Sequence, residues 1–314
     1  MLKDENINGI YNIDTNKKLN KGKLILTIFL IIIFILLLII AKNIIEIMNY
    51  EKIYMQYESQ IAALEIQKAN EEARIKEEQE KIAKEQERLK KERNPQLTEI
   101  GKENISHIYS SETKRAFLTF DDGPSINTAP ILDILKEQNI KATFFVLGVN
   151  VNYKPDMAKR IYEEGHYLAN HGYSHVYSSI YSSPQSVLDE YNKCNDLVRN
   201  AIGVQDYNSH LFRFPGGLVG GKYADIKRQA KELLNENNIV NVDWNALNGD
   251  AEKQSPTEEF EMQRIEETTE NKNSIVVLMH DAETKQATVN TLPKIIEYLR
   301  QQGYEFKNFY EIIK

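Results

Sequence analysis

Cysteine is almost absent from this chain of 314 residues. Cys194 is the only one, so no disulfide can form within the chain, and the fold must be held by its core or by a metal ion. Positive charge is also in the minority, because 39 lysines and arginines face 46 acidic residues and leave a net charge of −7. This balance argues against a nucleic-acid partner, and we expect none.

Charge is lacking altogether from residues 24–41, an apolar run long enough to span a bilayer. Lysines precede the run at Lys3, Lys17, Lys18, Lys21 and Lys23. This excess places the N-terminus in the cytoplasm and the rest of the chain outside. A cleaved signal peptide is the alternative, but its apolar region is normally shorter and ends at small residues. We predict a cytoplasmic tail at 1–23 and an uncleaved, single-pass anchor in the cell membrane at 24–41.

Glycine and proline are lacking from residues 51–93, a block rich in charged helix formers. Glutamate precedes lysine by four residues, the favourable order on a helix, at Glu72/Lys76, Glu77/Lys81, Glu80/Lys84 and Glu87/Lys91. An apolar seam with seven-residue spacing is only one residue wide over most of its length, which is too narrow for a stable coiled coil. We predict a solvated helical stalk over 42–93, whose charged block at 51–93 is about 60 Å long at 1.5 Å per residue. Weak self-association through the stalk is the alternative, and a polar linker is expected at 94–115.

Strand-like runs alternate with amphipathic stretches from residue 116 onward. The predicted strands are 116–120, 143–147, 167–169, 211–212, 239–242 and 275–279. The predicted helices are 129–138, 155–164, 184–199, 224–235, 256–269 and 289–301. This alternation predicts an α/β catalytic domain over 116–314, built on a parallel sheet or a barrel. The suggestive polar residues all follow predicted strands, at the edge where a barrel gathers its active site.

Two adjacent carboxylates, Asp121 and Asp122, follow the first predicted strand, and Gly123-Pro124 forces a turn after them. Side chains alternate along an extended chain, so the two carboxylates cannot point the same way or share one role.

Two histidines, His171 and His175, stand four residues apart, so that a helical turn or a tight loop could aim both at one ion. With one of the two aspartates they make three ligands, the count of a catalytic zinc site that keeps a position open for water. The other aspartate is then free to act as a base. These residues predict a metal-assisted hydrolase.

Three further residues are ambiguous when each is taken alone. Arg213 precedes a Pro-Gly turn, where an arginine usually braces a loop. Trp244, the only tryptophan, follows Asp243 and is expected to anchor the core. His280 ends an apolar run and, by itself, is more often structural than catalytic.

Taken together, these residues resemble the five motifs of the polysaccharide deacetylases with a NodB homology domain, carbohydrate esterase family 4. The motifs are Asp121-Asp122, His171/His175, Arg213-Phe214-Pro215, Asp243-Trp244 and Leu278-Met279-His280. The resemblance covers about residues 114–314. It implies a distorted (β/α) barrel of the NodB type that removes the acetyl group from an N-acetylated sugar.

The resemblance also implies a role for each motif. Asp122, His171 and His175 would bind one divalent metal ion, with zinc expected and cobalt, manganese or nickel as alternatives. Asp121 would be the general base, held by Arg213 in its ionised form. His280 would be the general acid, oriented and kept protonated by Asp243.

The remaining motif residues would shape the pocket. Trp244 and Leu278 would wall the space for the acetyl methyl group. Pro215 and Gly216 belong to the third motif, in which the family often has an aromatic residue where this chain has Gly216. The oxyanion donor there is a backbone N–H, so the chemistry would survive, but the missing side chain predicts a more open groove.

The expected function is that of a membrane-tethered peptidoglycan N-acetylglucosamine deacetylase acting on the cell-wall glycan outside the cell. The exposed amines would gain positive charge and weaken recognition by lysozyme-like hydrolases. N-acetylmuramic acid and a poly-N-acetylglucosamine exopolysaccharide are the alternative substrates. A noncatalytic glycan-binding scaffold is the alternative from another class of protein.

Overall fold

A computed structural model describes residues 10–313, with side chains from residue 21 onward. Residues 1–9 of the predicted cytoplasmic tail lie outside the described residues. The first element is one long helix, α1 (Ile10–Glu92), which ends just before Asn94-Pro95 as the proline predicts. Within the described residues, α1 is long and apolar enough to cross a membrane, as judged by length and composition. Its apolar side chains at 24–40 are exposed.

The chain divides into two units between Ala83 and Lys84. The first unit is helical throughout its described part. Of the predicted ion pairs on this helix, Glu77 and Lys81 form one with an N–O distance of 2.7 Å, and both side chains are exposed. Such exposed pairs add only a few tenths of a kcal/mol each, about 0.3–0.5.

The second unit is built on an eight-stranded, wholly parallel sheet. Its strands are β1 (Arg115–Asp121), β2 (Thr143–Val146), β3 (Tyr167–Asn170), β4 (Leu211–Phe212), β5 (Val240–Asn241), β6 (Ala246–Leu247), β7 (Ser274–His280) and β8 (Glu305–Phe306). The order is β5-β4-β3-β2-β1-β7-β6, and β8 also pairs with β1. Among these described strands the end members β5 and β6 do not pair with each other, so the barrel is incomplete. The predicted distorted barrel is confirmed.

The helices of this unit connect the strands. They are α2 (Glu99–Ser106), α3 (Thr128–Glu137), α4 (Gly148–Tyr153), α5 (Pro155–Glu163), α6 (Tyr177–Ile180), α7 (Pro184–Ile202), α8 (Ala224–Glu236), α9 (Glu258–Thr269) and α10 (Gln286–Gln301), with a final 3-10 turn at Phe309–Glu311. All six predicted helices and all six predicted strands are present, most of them with shifted ends. The sequence missed β6 and β8, which have two residues each, and the short helices α2, α4 and α6.

Side chains of alternate strand residues pack on the two faces of the sheet. In β1, Phe117 points into the barrel, where its ring centroid lies 5.1 Å from that of Phe309. Leu118 and Phe120 pack instead in the layer between the sheet and its helices. Cys194 of α7 is fully buried in this outer layer. Because apolar side chains cover both faces of the sheet in this way, the polar residues lie at the strand ends.

The segment predicted as a linker is part of the folded unit. It contains α2, whose N-cap Thr98 accepts a hydrogen bond from Gly101 N at 3.0 Å. Leu97, Ile105 and Ile108 are buried in the cluster that fills the barrel. The prediction of a polar linker at 94–115 is therefore wrong. Only two large apolar residues, Ile100 and Ile105, lie within the eight residues of α2, so this helix is too short to show a clear apolar period.

Candidate metal centre and catalytic site

Most of the predicted site residues meet at the carboxyl edge of the sheet. Asp121 ends β1 and is paired in register with His280, the last residue of the neighbouring β7. His171 directly follows β3, and Arg213 directly follows β4. Because parallel strands present their carboxyl ends at one edge, four separate parts of the chain converge on one site.

The two adjacent aspartates face different partners, as the alternation predicts. Asp121 is buried and contacts Arg213, whereas Asp122 is half-buried and faces His171 and His175. Asp122 has a φ of 74°, in the left-handed region that residues with a side chain seldom adopt. The turn after β1 thus separates the two carboxylates.

Asp122, His171 and His175 form a triad whose candidate ligand atoms all lie within 4.8 Å of one another. Asp122 Oδ1 lies 3.6 Å from His171 Nε2 and 3.5 Å from His175 Nε2. This oxygen is buried and has no hydrogen-bond partner among the described residues. A buried oxygen without a donor, beside two imidazole nitrogens, fits a divalent ion of the zinc type.

A backbone hydrogen bond and the backbone conformation position the two histidines as candidate metal ligands. His171 Nδ1 lies 2.7 Å from the carbonyl oxygen of Arg213, which can only accept, so Nδ1 carries the proton and Nε2 is the free ligand atom. Burial lowers the pKa of His171 to about 3, which keeps the imidazole neutral as metal binding requires. His175 has a φ of 57°. Left-handed residues of this kind cost about 1–3 kcal/mol each and cluster at functional sites.

Arg213 is fully buried beside Asp121. Its Nη1 donates to Asp121 Oδ1 at 2.8 Å and to Thr119 Oγ1 at 2.8 Å, and its Nη2 donates to the carbonyl oxygen of Asp243 at 3.0 Å. Burial raises the pKa of Asp121, while the charges of Arg213 and His280 oppose that rise. The expected Arg213–Asp121 ion pair is present. Its attraction offsets part of the free-energy cost of burying the Asp121 charge.

Asp250, and not Asp243, is the carboxylate that holds His280. His280 Nδ1 lies 2.7 Å from Asp250 Oδ1, and the backbone N–H of His280 donates to Asp250 Oδ2 at 2.8 Å. Thr288 Oγ1 donates to the same Oδ2 at 2.7 Å. Burial disfavours the charged imidazole, but the hydrogen bond and charge of Asp250, with the charges of Asp121 and Asp122, raise the pKa of His280 to about 9.

Asp243 instead braces the loop after β4. Its Oδ2 accepts a hydrogen bond from the backbone N–H of Leu218 at 3.1 Å. The neighbouring Trp244 is half-buried against the barrel cluster, and a methyl group on Gly217 would lie 3.0 Å from its ring. The prediction that Asp243 orients His280 is wrong. Asp243 lies before β6, whereas Asp250 follows β6, the strand that pairs with β7, and so stands beside His280.

The other predicted pocket residues take fixed positions. The carbonyl oxygen of Pro215 accepts a hydrogen bond from the Tyr181 hydroxyl at 2.7 Å. Leu278 is buried in β7, two residues before His280.

The groove at Gly216 is not opened by the missing side chain. Gly216 has a φ of 74°, and a methyl group placed on it would lie 2.5 Å from the Tyr177 hydroxyl. Tyr177 thus occupies the space that the sequence predicts to be open. The sequence gives no sign of this contact, because it joins two separate loops.

A buried carboxylate supports the turn that carries the two aspartates. Asp281 is fully buried, and its Oδ2 accepts a hydrogen bond from Thr128 Oγ1 at 2.7 Å. Gly123 lies so close that a methyl group there would overlap the carboxylate of Asp281. Burial, together with the charges of Asp122 and Asp121, raises the pKa of Asp281 to about 7.

A surface cavity of about 460 Å³ borders the triad. Its walls include Asp122, Pro124, Leu147, Tyr153, His175 and Glu283. The triad is therefore reachable from the surface.

Residues 109–234 match the polysaccharide deacetylase family. A peptidoglycan-N-acetylglucosamine deacetylase of Bacillus cereus is 32% identical over 218 residues, which cover 68% of this chain and 76% of that protein. The chain therefore belongs to the polysaccharide deacetylases of the NodB type, carbohydrate esterase family 4.

Solved structures of this family share the fold. The catalytic domain of peptidoglycan N-acetylglucosamine deacetylase from Eubacterium rectale is 32% identical, with a TM-score of 0.58 over 63% of this chain and 90% of that one. A family 4 carbohydrate esterase from Streptococcus mutans is 31% identical, with a TM-score of 0.59 over 68% and 92%. Within the family, the chain is thus similar to proteins named peptidoglycan N-acetylglucosamine deacetylases.

Proposed function

We propose that this protein is a metal-dependent deacetylase of peptidoglycan N-acetylglucosamine. The observation that carries the proposal is the Asp122–His171–His175 triad, with a carboxylate, Asp121, and an imidazole, His280, beside it on paired strands. A hydrolase of an amide needs a site for an electrophilic ion, a base for water and an acid for the leaving amine. These five side chains supply all three.

Asp122, His171 and His175 would hold the ion, for which zinc suits the donor set and cobalt, manganese and nickel are alternatives. When bound, the ion supplies Lewis acidity that polarises the amide carbonyl. His171 Nε2 lies 3.8 Å from Asp121 Oδ2, so the base adjoins the ligands. Asp121 would use Oδ2 to take a proton from the water that attacks the acetyl carbon, while Arg213 holds Oδ1.

His280 would complete the reaction. As the C–N bond breaks, His280 Nε2 donates its proton to the leaving amine, and the products are acetate and a free amino sugar. Asp250 keeps Nδ1 engaged, so the proton to be donated is the one on Nε2. A pKa of about 9 keeps His280 protonated at neutral pH, as an acid must be.

The N-terminal part of the chain would locate this activity. In our proposal, residues 24–41 anchor the protein in the cell membrane, the lysines before them keep residues 1–23 in the cytoplasm, and the catalytic unit works on the wall outside. The helical stalk would let the catalytic unit reach into the cell-wall glycan. Removing acetyl groups leaves amines that become positively charged, which would protect the wall from lysozyme-like enzymes.

The experiment that tests the proposal uses the full-length protein in detergent micelles, with added zinc and purified peptidoglycan. Muropeptide masses then identify which sugar has lost an acetyl group, and the His175→Ala variant is the control. Loss from N-acetylmuramic acid would favour the alternative substrate. Retention of every acetyl group would contradict the proposal and favour a glycan-binding scaffold.

A further inference from the structure

The ring of Tyr177 lies beside His175 of the metal triad, and its hydroxyl has no role in the mechanism above. It stands 2.5 Å from the position of a methyl group on Gly216, and the ring carbon that bears it stands 3.3 Å away. The ring centroid lies 5.5 Å from that of His175. Tyr177 therefore bridges the loop that carries a metal ligand and the loop that follows β4.

Packing fixes the ring of Tyr177, although the residue is 40% exposed. The ring also meets Tyr181 edge-on, with centroids 5.6 Å apart. Tyr181 is itself fully buried and donates its hydroxyl proton to the Pro215 carbonyl. A ring packed against these two neighbouring rings presents its hydroxyl close to Gly216.

The hydroxyl is a donor without an acceptor. Among the described residues it makes no hydrogen bond, and neither does the backbone N–H of Gly216 beside it. The neighbouring acceptors are engaged elsewhere: the Pro215 carbonyl by Tyr181, and the Arg213 carbonyl by His171. Two free donors, one at the start of α6 and one in the loop after β4, lie near the candidate ligand His175 and suit a ligand atom that accepts hydrogen bonds.

We propose that Tyr177 is a further catalytic residue, whose hydroxyl donates a hydrogen bond to the acetamido carbonyl oxygen of the bound sugar. This inference rests on the proposed function. The acetyl group must lie against the triad to be hydrolysed, and its carbonyl oxygen is the part of that group that can only accept. The oxygen gains negative charge as water attacks, so a donor there stabilises the transition state more than the bound substrate.

The first test is Tyr177→Phe, which removes the hydroxyl and keeps the ring. Acetate release from an N-acetylglucosamine polymer is measured with the full-length protein in micelles at saturating zinc. We expect kcat to fall about 10²-fold, as for other oxyanion donors, with KM, zinc affinity and unfolding temperature unchanged. Tyr298→Phe, on α10 outside the site, is the matched control and should match the wild type.

Each other outcome of this test has a distinct meaning. A normal kcat for Tyr177→Phe, or a change in KM alone, overturns the inference and leaves the proposed function intact. A wild-type protein that releases no acetate overturns both.

A second test checks the position of the hydroxyl without using activity. Gly216→Ala carries the same left-handed strain in any background, but its methyl group collides with the hydroxyl only when Tyr177 is present. We expect Gly216→Ala to lower the unfolding temperature more in the wild type than in Tyr177→Phe. Equal losses in the two backgrounds would mean that the hydroxyl does not lie at Gly216, and would overturn the inference.

Discussion

His280 and Asp250 are joined twice, because one oxygen of the Asp250 carboxylate contacts the imidazole Nδ1 and the other accepts the backbone N–H of the same histidine. The double contact fixes both the ring and the strand end that carries it. It also places a negative charge where it stabilises the imidazolium.

The first prediction concerns this pair. Asp250→Asn removes the charge that raises the pKa of His280, so the imidazole should lose its proton at lower pH. Since the reaction needs the protonated form, the alkaline limb of the pH–rate profile, near pH 9 in the wild type, should move to lower pH. His280→Ala should lose about 10²–10⁴-fold in kcat with metal still bound. Asp243→Asn is the control, and its alkaline limb should stay in place.

The second prediction separates the two adjacent aspartates. Asp121→Asn keeps the shape and should leave metal affinity near normal, while kcat falls steeply because the base is gone. Asp122→Asn should weaken metal binding, and excess metal should restore part of the rate. Metal titrations followed by elemental analysis and rate measurements distinguish the two. If Asp121→Asn empties the site while Asp122→Asn remains loaded, the roles are reversed.

The third prediction is a stability effect of the metal. An ion that binds only the folded protein at 100 times its dissociation constant adds about 2.7 kcal/mol to the free energy of unfolding. A chelator should therefore lower the unfolding temperature of the wild type, and added zinc should restore it. His175→Ala should lose this response, whereas the exposed His107→Ala should retain it. An equal response in both variants would place the ion elsewhere.

The fourth prediction concerns Gly123. A methyl group there overlaps Asp281, so Gly123→Ala should lower both the unfolding temperature and the activity by shifting the turn that carries Asp121 and Asp122. Gly203→Ala is the contrasting variant, because it has a φ of 70° but open space around it. Thermal unfolding of the two variants should rank Gly123→Ala as the more damaging. The reverse order would show that the turn adapts.

The fifth prediction tests the anchor. Full-length protein should sediment with membranes, and protease added to intact cells should remove the chain from residue 51 onward. A soluble protein whose mature N-terminus lies just after Ala41 would instead mean that the apolar run is a cleaved signal.

The sequence predicts the long elements, and it selects Asp122, His171 and His175, which the structure brings together, because both features are encoded locally. Asp121 is the last residue of the seven-residue strand β1 and Asp122 follows it, while His171 and His175 lie within one loop. The pattern of apolar residues indicates where the strands lie, and the ends of the strands indicate where the candidate site residues lie.

Contacts between distant short elements could not be predicted in this way. Asp250 follows β6, whose two residues show no period, and it reaches His280 only because Leu247 pairs with Leu278. The resemblance to the family motifs instead assigned this role to Asp243, which lies just before Trp244. Tyr177 was missed for a related reason, since its contact with Gly216 depends on how two loops pack.

The single cysteine has a practical consequence. Cys194 is enclosed in the outer layer, and burial raises the pKa of its thiol well above the usual range. A thiol that is neither ionised nor accessible does not react with alkylating reagents. A cysteine introduced on the surface, for example at the exposed Tyr153, would therefore be the only labelling site in the folded chain. Fluorescent or spin probes could then report substrate binding beside the triad without prior removal of the native residue.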